Sequence, residues 1–247
     1  SGRFADILEI SSDNLIQYMT ETTSSAVSDD ISVSEYEDFY ADALTQAEQV
    51  IHISMASHVG KNYETAVAAS KGFDHVSVID SAQISCGQAL IGLYAGKLAM
   101  EGYTASEICR QVERIKKRIE SHYMLPAAEL FHRRGYLGAA PAGVCRIFGL
   151  HPEITMEQGK IIMSGARCGR MEGAWKRLIR WHLRHKGKIS TDIIYITHAG
   201  CTVEQLELIR REILRCIPFE KVIVQRTSVS IACNSGIGTF GMAYYLL

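Results

Sequence analysis

The sequence predicts an α/β fold built on a parallel sheet that is covered on both faces. Short apolar runs rich in β-branched residues alternate with longer helical patterns, which is typical of buried parallel strands. The chain has 247 residues, of which 47% are hydrophobic, so it can bury the core of one large or two small domains. The predicted strands are residues 49–54, 75–80, 192–198 and 221–225.

Helices are predicted around these strands, and two of them carry start signals. Thr104 precedes Glu107 by three residues, which is the spacing of a capping box, and Thr202 stands just before Glu204. The helical patterns support a fold in which strands and helices alternate. The predicted helices are residues 34–47, 62–71, 86–101, 104–121, 173–185, 202–215 and 236–246.

Residues 123–165 depart from this alternation. Small residues and the turn at 157–159 predict a β-hairpin there, in place of another strand–helix unit. We therefore expect a domain boundary near residues 145–150. The prediction is a parallel-sheet domain over residues 1–147 and a mixed α/β domain over residues 148–247.

Composition excludes several classes of protein. The chain has 26 Lys and Arg against 27 Asp and Glu, so the total charge does not favour a nucleic-acid partner. No apolar run approaches the roughly 20 residues that span a bilayer. The seven cysteines are widely spaced and odd in number, which favours reduced thiols and a cytoplasmic location over disulfides or a zinc site. Since the chain opens at Ser1-Gly2 without methionine, we expect an artificial start or a cut within a longer protein.

Residues 50–66 form a strand, a serine-bearing turn and the start of a helix. A nucleophile elbow needs glycines around its serine, and neither Ser54 nor Ser57 has them. A phosphate-binding P-loop also fails, because Gly60-Lys61 is followed by asparagine and has no upstream glycine. What remains is a site for a carboxylate or a similar small anion at a helix start. Asp80-Ser81 also ends a predicted strand, where open α/β sheets place ligand sites.

Two further segments offer groups for the same anion. A hydroxyl-rich segment at residues 21–28 precedes a helix, and a glycine-rich turn at residues 234–241 allows close approach of backbone to ligand. Serine and threonine also cap helices very often, and spacing alone favours that simpler interpretation.

Histidines and a basic segment complete the list of candidates. His182 and His185 share a helix face but lack a third zinc ligand nearby in sequence, so we interpret them as solvated. His198 ends a buried strand and is either functional or a hydrogen-bonded core residue. Residues 167–188 are basic, either as a solvated helix face or as a docking surface for an acidic or phosphate-bearing partner.

The order of these motifs resembles the DegV family of bacterial fatty-acid-binding proteins. Thr23-Ser24 matches its threonine-serine loop, and Ser57 followed by Tyr63-Glu64-Thr65-Ala66 matches its next motif. "VIDSAQIS" with the helix after it is the most specific match. The remaining matches are "AAELFHRRGYLGAA", "GLHPEITMEQGKI", the basic segment, a strand ending in histidine and the terminal glycine turn.

This resemblance implies a two-domain α/β fold with a long-chain fatty acid in a tunnel between the domains. It implies that Thr23 and Ser57, with Ser24 nearby, hold the carboxylate, and that Asn234 and Gly236 belong to the ligand-binding turn. It also implies a non-catalytic protein without a cofactor or metal, which in some members presents the acid to a separate kinase. The basic segment would then face that partner, through Arg167, Arg170 and Arg177.

Departures from the family pattern keep other functions open. Gly60-Lys61-Asn62 replaces the family's serine, glycine and threonine, and Asn234 stands where many members have histidine. The family's first strand is also missing from the start of the chain. The main hypothesis is a carrier of a C16–C18 fatty acid. The alternatives are a lipid-responsive sensory or interaction domain of a larger protein, and a hydrolase that uses Ser57 or Ser81.

Overall fold

A computed structural model of the chain describes residues 4, 6, 9–22, 26–133, 135, 137–185 and 187–247. None of its described helices is both long enough and apolar enough to cross a membrane. In chain order the elements are α1 (Ser12–Glu21), α2 (Val33–Gln46), β1 (Val50–Ser54), α3 (Asn62–Ser70), β2 (Val76–Asp80), α4 (Ser85–Met100), α5 (Ala105–Ile115), β3 (Ile119–Met124), α6 (Glu129–Arg133), α7 (Ala139–Phe148), β4 (His151–Glu157), β5 (Lys160–Arg167), α8 (Met171–His185), β6 (Ile189–His198), α9 (Val203–Cys216), β7 (Lys221–Arg226), α10 (Val229–Ser235) and β8 (Phe240–Leu246).

The chain forms two compact units that do not follow the predicted boundary near residues 145–150. The small unit contains residues 29–119 and 156–161, and the large unit contains residues 1–28, 120–155 and 162–247. The difference arises because β3 pairs with β4 in the sheet of the large unit. Residues 1–28 and 120–147, which were predicted for the first domain, belong to the large unit, and residues 156–161, which were predicted for the second domain, belong to the small unit.

The small unit is built around a parallel pair of strands. β1 and β2 run in register from Val50 opposite Val76 to the ends of both strands. Helices α2 and α3 pack together, and Tyr40 and Ala66 are fully buried in the core between them. Helix α5 begins with the predicted capping box, in which Thr104 accepts the Glu107 N–H and the Glu107 carboxylate accepts from Thr104. The predicted strands and helices of this unit are therefore confirmed, except at the end of α5.

The large unit contains a mixed six-stranded sheet in the order β5-β4-β3-β8-β6-β7. β6 pairs in parallel with β7 and antiparallel with β8. The predicted hairpin is confirmed as β4 and β5, and Gln158 and Gly159 in its turn both have positive φ, as a type I′ turn requires. Helix α8 buries Trp175, Leu178 and Ile179 in the core of this unit.

Two strands of this sheet differ from the sequence prediction. Residues 104–121 were predicted to be one helix, but α5 ends at Ile115 and β3 begins at Ile119. Residues 236–246 were predicted to be a helix and form β8 instead. Both segments are almost entirely buried, so no alternation of polar and apolar residues marks them as strands.

Candidate functional site

The carboxyl ends of β1 and β2 form one edge of the small unit, and the segment around Ser57 leaves from this edge. Ser54 lies opposite Asp80 in the register of the two strands. The Ser81 N–H donates to the carbonyl oxygen of Ser54 at 3.1 Å, which joins the two strand ends. The loops that follow both strands therefore begin side by side, in the arrangement that parallel sheets use for ligand sites.

Asp80 fixes both loops with one carboxylate oxygen. Its Oδ1 accepts the N–H of Ser57 at 3.3 Å and the N–H of Ala82 at 2.7 Å. Ala82 has a φ of 54°, which is uncommon for a residue with a side chain, and the bond to Asp80 helps to hold it there. The sequence placed Asp80-Ser81 at a strand end where ligand sites lie, but it did not show that the Asp80 carboxylate holds both loops.

The three serines at this edge have different surroundings. Ser57 is half-buried, and its Oγ lies 3.4 Å from Nδ1 of the neighbouring His58. Ser81 is fully buried and exchanges hydrogen bonds with the backbone of Gln83, so it stabilises the loop. Ser54 is buried too, and its hydroxyl has no hydrogen-bond partner among the residues that the structure describes. Ser57 is therefore the serine of this edge that is best placed to contact a ligand.

Helix α3 begins just after this loop without a side-chain cap. Lys61 occupies the N-cap position in a helical conformation and its side chain caps no amide. The Asn62 side chain is used elsewhere, because its Oδ1 accepts the Ile31 N–H at 3.0 Å and its Nδ2 lies 3.4 Å from Sδ of Met55. Uncapped amides and the positive end of the helix dipole both favour an anion at this position. Ser57 and the start of α3 therefore stay candidates for a carboxylate site.

In the large unit, Asn234 connects α10 to the hydroxyl-rich segment. Its Nδ2 donates to Oγ of Ser28 at 2.9 Å and to the carbonyl oxygen of Ser230 at 2.7 Å. The structure thereby brings the end of residues 21–28 to the helix before the glycine turn. Thr23 and Ser24 themselves lie outside the described residues, so their place as carboxylate ligands stays a prediction.

Gly236 ends α10 in a conformation that favours glycine. Its φ is 87° and its ψ is 161°, and its N–H donates to the carbonyl oxygen of Ala232. The amide of Gly236 is therefore used within α10, while the missing side chain leaves the backbone open to close approach. The turn leads into β8, in place of the terminal helix that the sequence predicted.

The three arginines predicted to face a partner have different contacts. Arg167 donates from Nε and Nη2 to the buried carboxylate of Glu153, at 3.2 and 2.9 Å. Arg177 is exposed and donates to the carbonyl oxygen of Cys168, and Arg170 is exposed. The contacts of Arg167 thus give it a structural role inside the large unit, while Arg170 and Arg177 stay candidates for a partner surface.

Two of the histidines considered in the sequence, His182 and His198, are core residues. His198 is buried, its Nδ1 accepts the N–H of Cys201 at 3.2 Å, and burial lowers its pKa. His182 is 4% exposed and its Nε2 is hydrogen-bonded to the Glu153 carboxylate. The interpretation of His182 as solvated is therefore wrong, because Glu153 reaches it from a strand that is distant in sequence.

Comparison with known proteins supports a single family. The family model described as "Uncharacterised protein, DegV family" matches residues 2–247. A DegV domain-containing protein from Halalkalibacterium halodurans is 25% identical over 202 residues, which cover 81% of this chain and 70% of that protein.

Two solved structures share the fold. A DegV family protein from Eubacterium eligens, loaded with heptadecanoic acid, has a TM-score of 0.87 and 14% identity, covering 100% of this chain and 89% of that one. The "Fatty Acid Kinase (Fak) B3 protein" of Streptococcus pneumoniae, loaded with linoleic acid, has a TM-score of 0.83 and 15% identity, covering 99% of this chain and 86% of that one. With a family model that spans nearly every residue, the chain belongs to the DegV family.

Proposed function

We propose that this protein is a non-catalytic carrier that binds one long-chain fatty acid of 16 to 18 carbons. The carboxylate would be held by the hydroxyl of Ser57 and by the Thr23-Ser24 loop. The observation that carries the proposal is the uncapped start of α3 beside Ser57, which offers hydrogen-bond donors and a positive helix end to one anion.

The fatty acid itself is suggested by the solved relatives. The Eubacterium eligens protein holds heptadecanoic acid and the pneumococcal protein holds linoleic acid, so both ligands are long-chain acids. An acyl chain gains about 0.8 kcal/mol for each methylene group that is buried. The tail should therefore supply most of the affinity, while the carboxylate contacts set the orientation of the ligand.

Mass spectrometry of lipid extracted from the purified protein is expected to show a fatty acid of 16 to 18 carbons. Protein stripped of lipid should then bind added palmitate, measured by calorimetry. The calorimetry should need only the protein and palmitate, since we propose no cofactor for binding. Protein that carries no fatty acid after purification and also fails to bind palmitate would contradict the proposal.

Ser57→Ala combined with Thr23→Ala is expected to weaken palmitate binding by about 100-fold or more. Each lost hydrogen bond to a charged group costs roughly 1.5–3 kcal/mol, and every 1.4 kcal/mol is about tenfold in affinity. Binding of hexadecanol, which lacks the carboxylate, should change much less. Ser70→Ala is a matched control, because this serine lies at the other end of α3 and donates to the Val67 carbonyl oxygen. Equal palmitate affinity in the double variant and in Ser70→Ala would show that the carboxylate binds elsewhere.

Presentation of the acid to a separate fatty acid kinase is a second part of the proposal. Its support is the pneumococcal relative, together with the exposed Arg170 and Arg177 as a surface for an acidic partner. Asn234 counts against presentation of the acid to a kinase. Many family members have a histidine at this position, whereas the Asn234 amide is bonded to Ser28 and Ser230 and cannot take up or release a proton.

A serine hydrolase has weaker support. Ser57 lies 3.4 Å from His58, but no carboxylate orients this histidine in the part of the chain that the structure describes. A general base in such enzymes is normally oriented by a third group. A fluorophosphonate probe is therefore expected to leave Ser57 unmodified.

A further inference from the structure

Three buried side chains of the large unit come together from three different elements. His122 lies on β3, Glu153 on β4 and His182 on α8, and their exposed fractions are 1%, 2% and 4%. We call them the His-Glu-His cluster. Imidazole and carboxylate groups are rarely buried without a strong partner, so the cluster needs a physical explanation.

The potential ligand atoms of the cluster lie close together. One imidazole nitrogen from each histidine and one carboxylate oxygen of Glu153 all lie within 4.8 Å of one another. The two imidazole rings are stacked, with their centroids 3.5 Å apart and their planes 20° apart. Nε2 of His182 is hydrogen-bonded to Oε1 of Glu153. One shared proton between these two atoms is therefore the link that joins α8 to β4 at this point.

The charges around the cluster favour a cation. The carboxylate of Glu120 lies 3.0 Å from Nε2 of His122, and Arg167 binds Oε2 of Glu153. At the cluster, two carboxylates therefore face one guanidinium.

We propose that the His-Glu-His cluster is a binding site for one divalent transition-metal ion of the zinc type. Two imidazole nitrogens and one carboxylate oxygen are the donor set that such ions accept, at about 2.0–2.2 Å for each bond. The ion replaces the proton between His182 and Glu153, and this proton leaves to solvent. Arg167 stays on the other oxygen of Glu153 and orients the carboxylate, as outer-shell partners of metal sites do.

This site connects β3, β4 and α8, so the bound ion would stabilise the large unit and would take no part in lipid binding. Because an ion must displace a proton, binding should release protons and weaken as the pH falls. The sequence shows only His182 beside His185 on a helix. The other two donors come from strands that precede it by 29 and 60 residues, counted from Glu153 and His122.

The test uses the chelator-treated 247-residue chain carrying Cys168→Ser, which removes the one cysteine of the seven that is exposed. Zinc chloride is titrated at pH 7.5 by calorimetry in two buffers of different ionisation enthalpy. We expect one zinc ion per chain, proton release, and a rise in the thermal midpoint. Glu153→Gln and His182→Gln should each lower the zinc affinity at least about tenfold, while His75→Gln, which changes an exposed histidine, should leave it unchanged.

Cobalt(II) gives a readout that does not require the variants to fold. The chain with Cys168→Ser should show the visible bands of cobalt bound by nitrogen and oxygen, without charge-transfer absorption from thiolate. Absence of zinc and cobalt binding by this protein would overturn the proposal, as would a thiolate spectrum or equal affinity in folded Glu153→Gln. Fatty acid recovered from the same samples reports on the carrier function separately, so the two proposals can fail independently.

Discussion

Replacing Glu153 with glutamine is expected to lower the free energy of unfolding of the large unit by about 3–5 kcal/mol at pH 7. Glu153 is 2% exposed and is bonded to both Arg167 and His182. The substitution keeps the shape of the side chain but leaves a guanidinium without its counter-charge. Breaking a buried ion pair in this way costs more than the pair contributes when it is intact. Urea unfolding followed by tryptophan fluorescence measures the effect, since Trp175 and Trp181 both lie on α8.

The effect of Glu153→Gln should depend on pH in a defined direction. Burial works against the ionised carboxylate, but the hydrogen bonds and charges of His182 and Arg167 outweigh it and lower the pKa of Glu153 from 4.5 to about 2. A lowered pKa means that the stabilisation is complete above the unfolded value of 4.5 and is lost as the pH falls towards 2. The wild type should therefore lose stability between these values more steeply than the variant does.

Glu212→Gln is the matched control for this measurement. Glu212 is also a buried carboxylate paired with an arginine, but Arg180 has a side chain that is 48% exposed and can return to water when the pair is broken. We expect a loss of about 1 kcal/mol or less from this control. Unfolding is measured with EDTA present, which excludes any contribution from metal. Equal losses in the two variants, or parallel pH curves for wild type and Glu153→Gln, would contradict the assignment.

Gly241→Ala is expected to destabilise the large unit by roughly 1–3 kcal/mol. A methyl group at this position of β8 would lie 2.4 Å from Cδ1 and 2.8 Å from Cε1 of Tyr123. Tyr123 is 4% exposed on β3, the neighbouring strand, so its ring cannot move away without disturbing the core. The absent side chain of Gly241 is therefore what lets the tyrosine ring lie across β8.

Two comparisons separate this clash from a general effect of alanine. Gly143→Ala, in α7, meets nothing within 4 Å and should be neutral or slightly stabilising, because alanine favours a helix. Gly241→Ala should also cost less in a Tyr123→Leu background, where the ring is gone. Urea unfolding of the wild type, Gly241→Ala, Tyr123→Leu and the double variant gives the four free energies of a double-mutant cycle. A cost of Gly241→Ala that does not change in this background would show that Tyr123 is not the cause.

Sequence reasoning succeeded where a strand is a short apolar run or where a helix begins with a capping signal. β1, β2, β6 and β7 are apolar runs, and α5 has the capping box that Thr104 predicts. β3 was missed because three of its residues, Glu120, Ser121 and His122, are polar, so the strand does not form an apolar run. β8 was taken for a helix because its residues are continuously apolar, and periodicity cannot separate a buried strand from a buried helix.

The candidate site was predictable only in part for a similar reason. The spacing of strand, serines and helix start indicated only a possible anion site with Ser54 and Ser57, and the family resemblance then favoured Ser57. The role of Arg167 depends on Glu153, and that of Asn234 depends on Ser28, which is 206 residues away. Contacts of this kind leave no periodic signal, so a basic segment resembled a partner surface although Arg167 and Arg180 are paired with buried carboxylates of the same unit.

The division of the large unit into three chain segments has a consequence for synthesis on the ribosome. The small unit can assemble once residues 29–119 have emerged, apart from the short hairpin tip at residues 156–161. The large unit cannot, because Asp6 accepts the N–H groups of Val229 and Ser230, and β8 lies inside its sheet. Asp6 can form these contacts only after nearly the whole chain has been synthesised, and contacts between residues far apart in sequence form slowly. During that interval the apolar strands of this unit lack their partners, so this is the period in which the nascent chain most needs protection from aggregation.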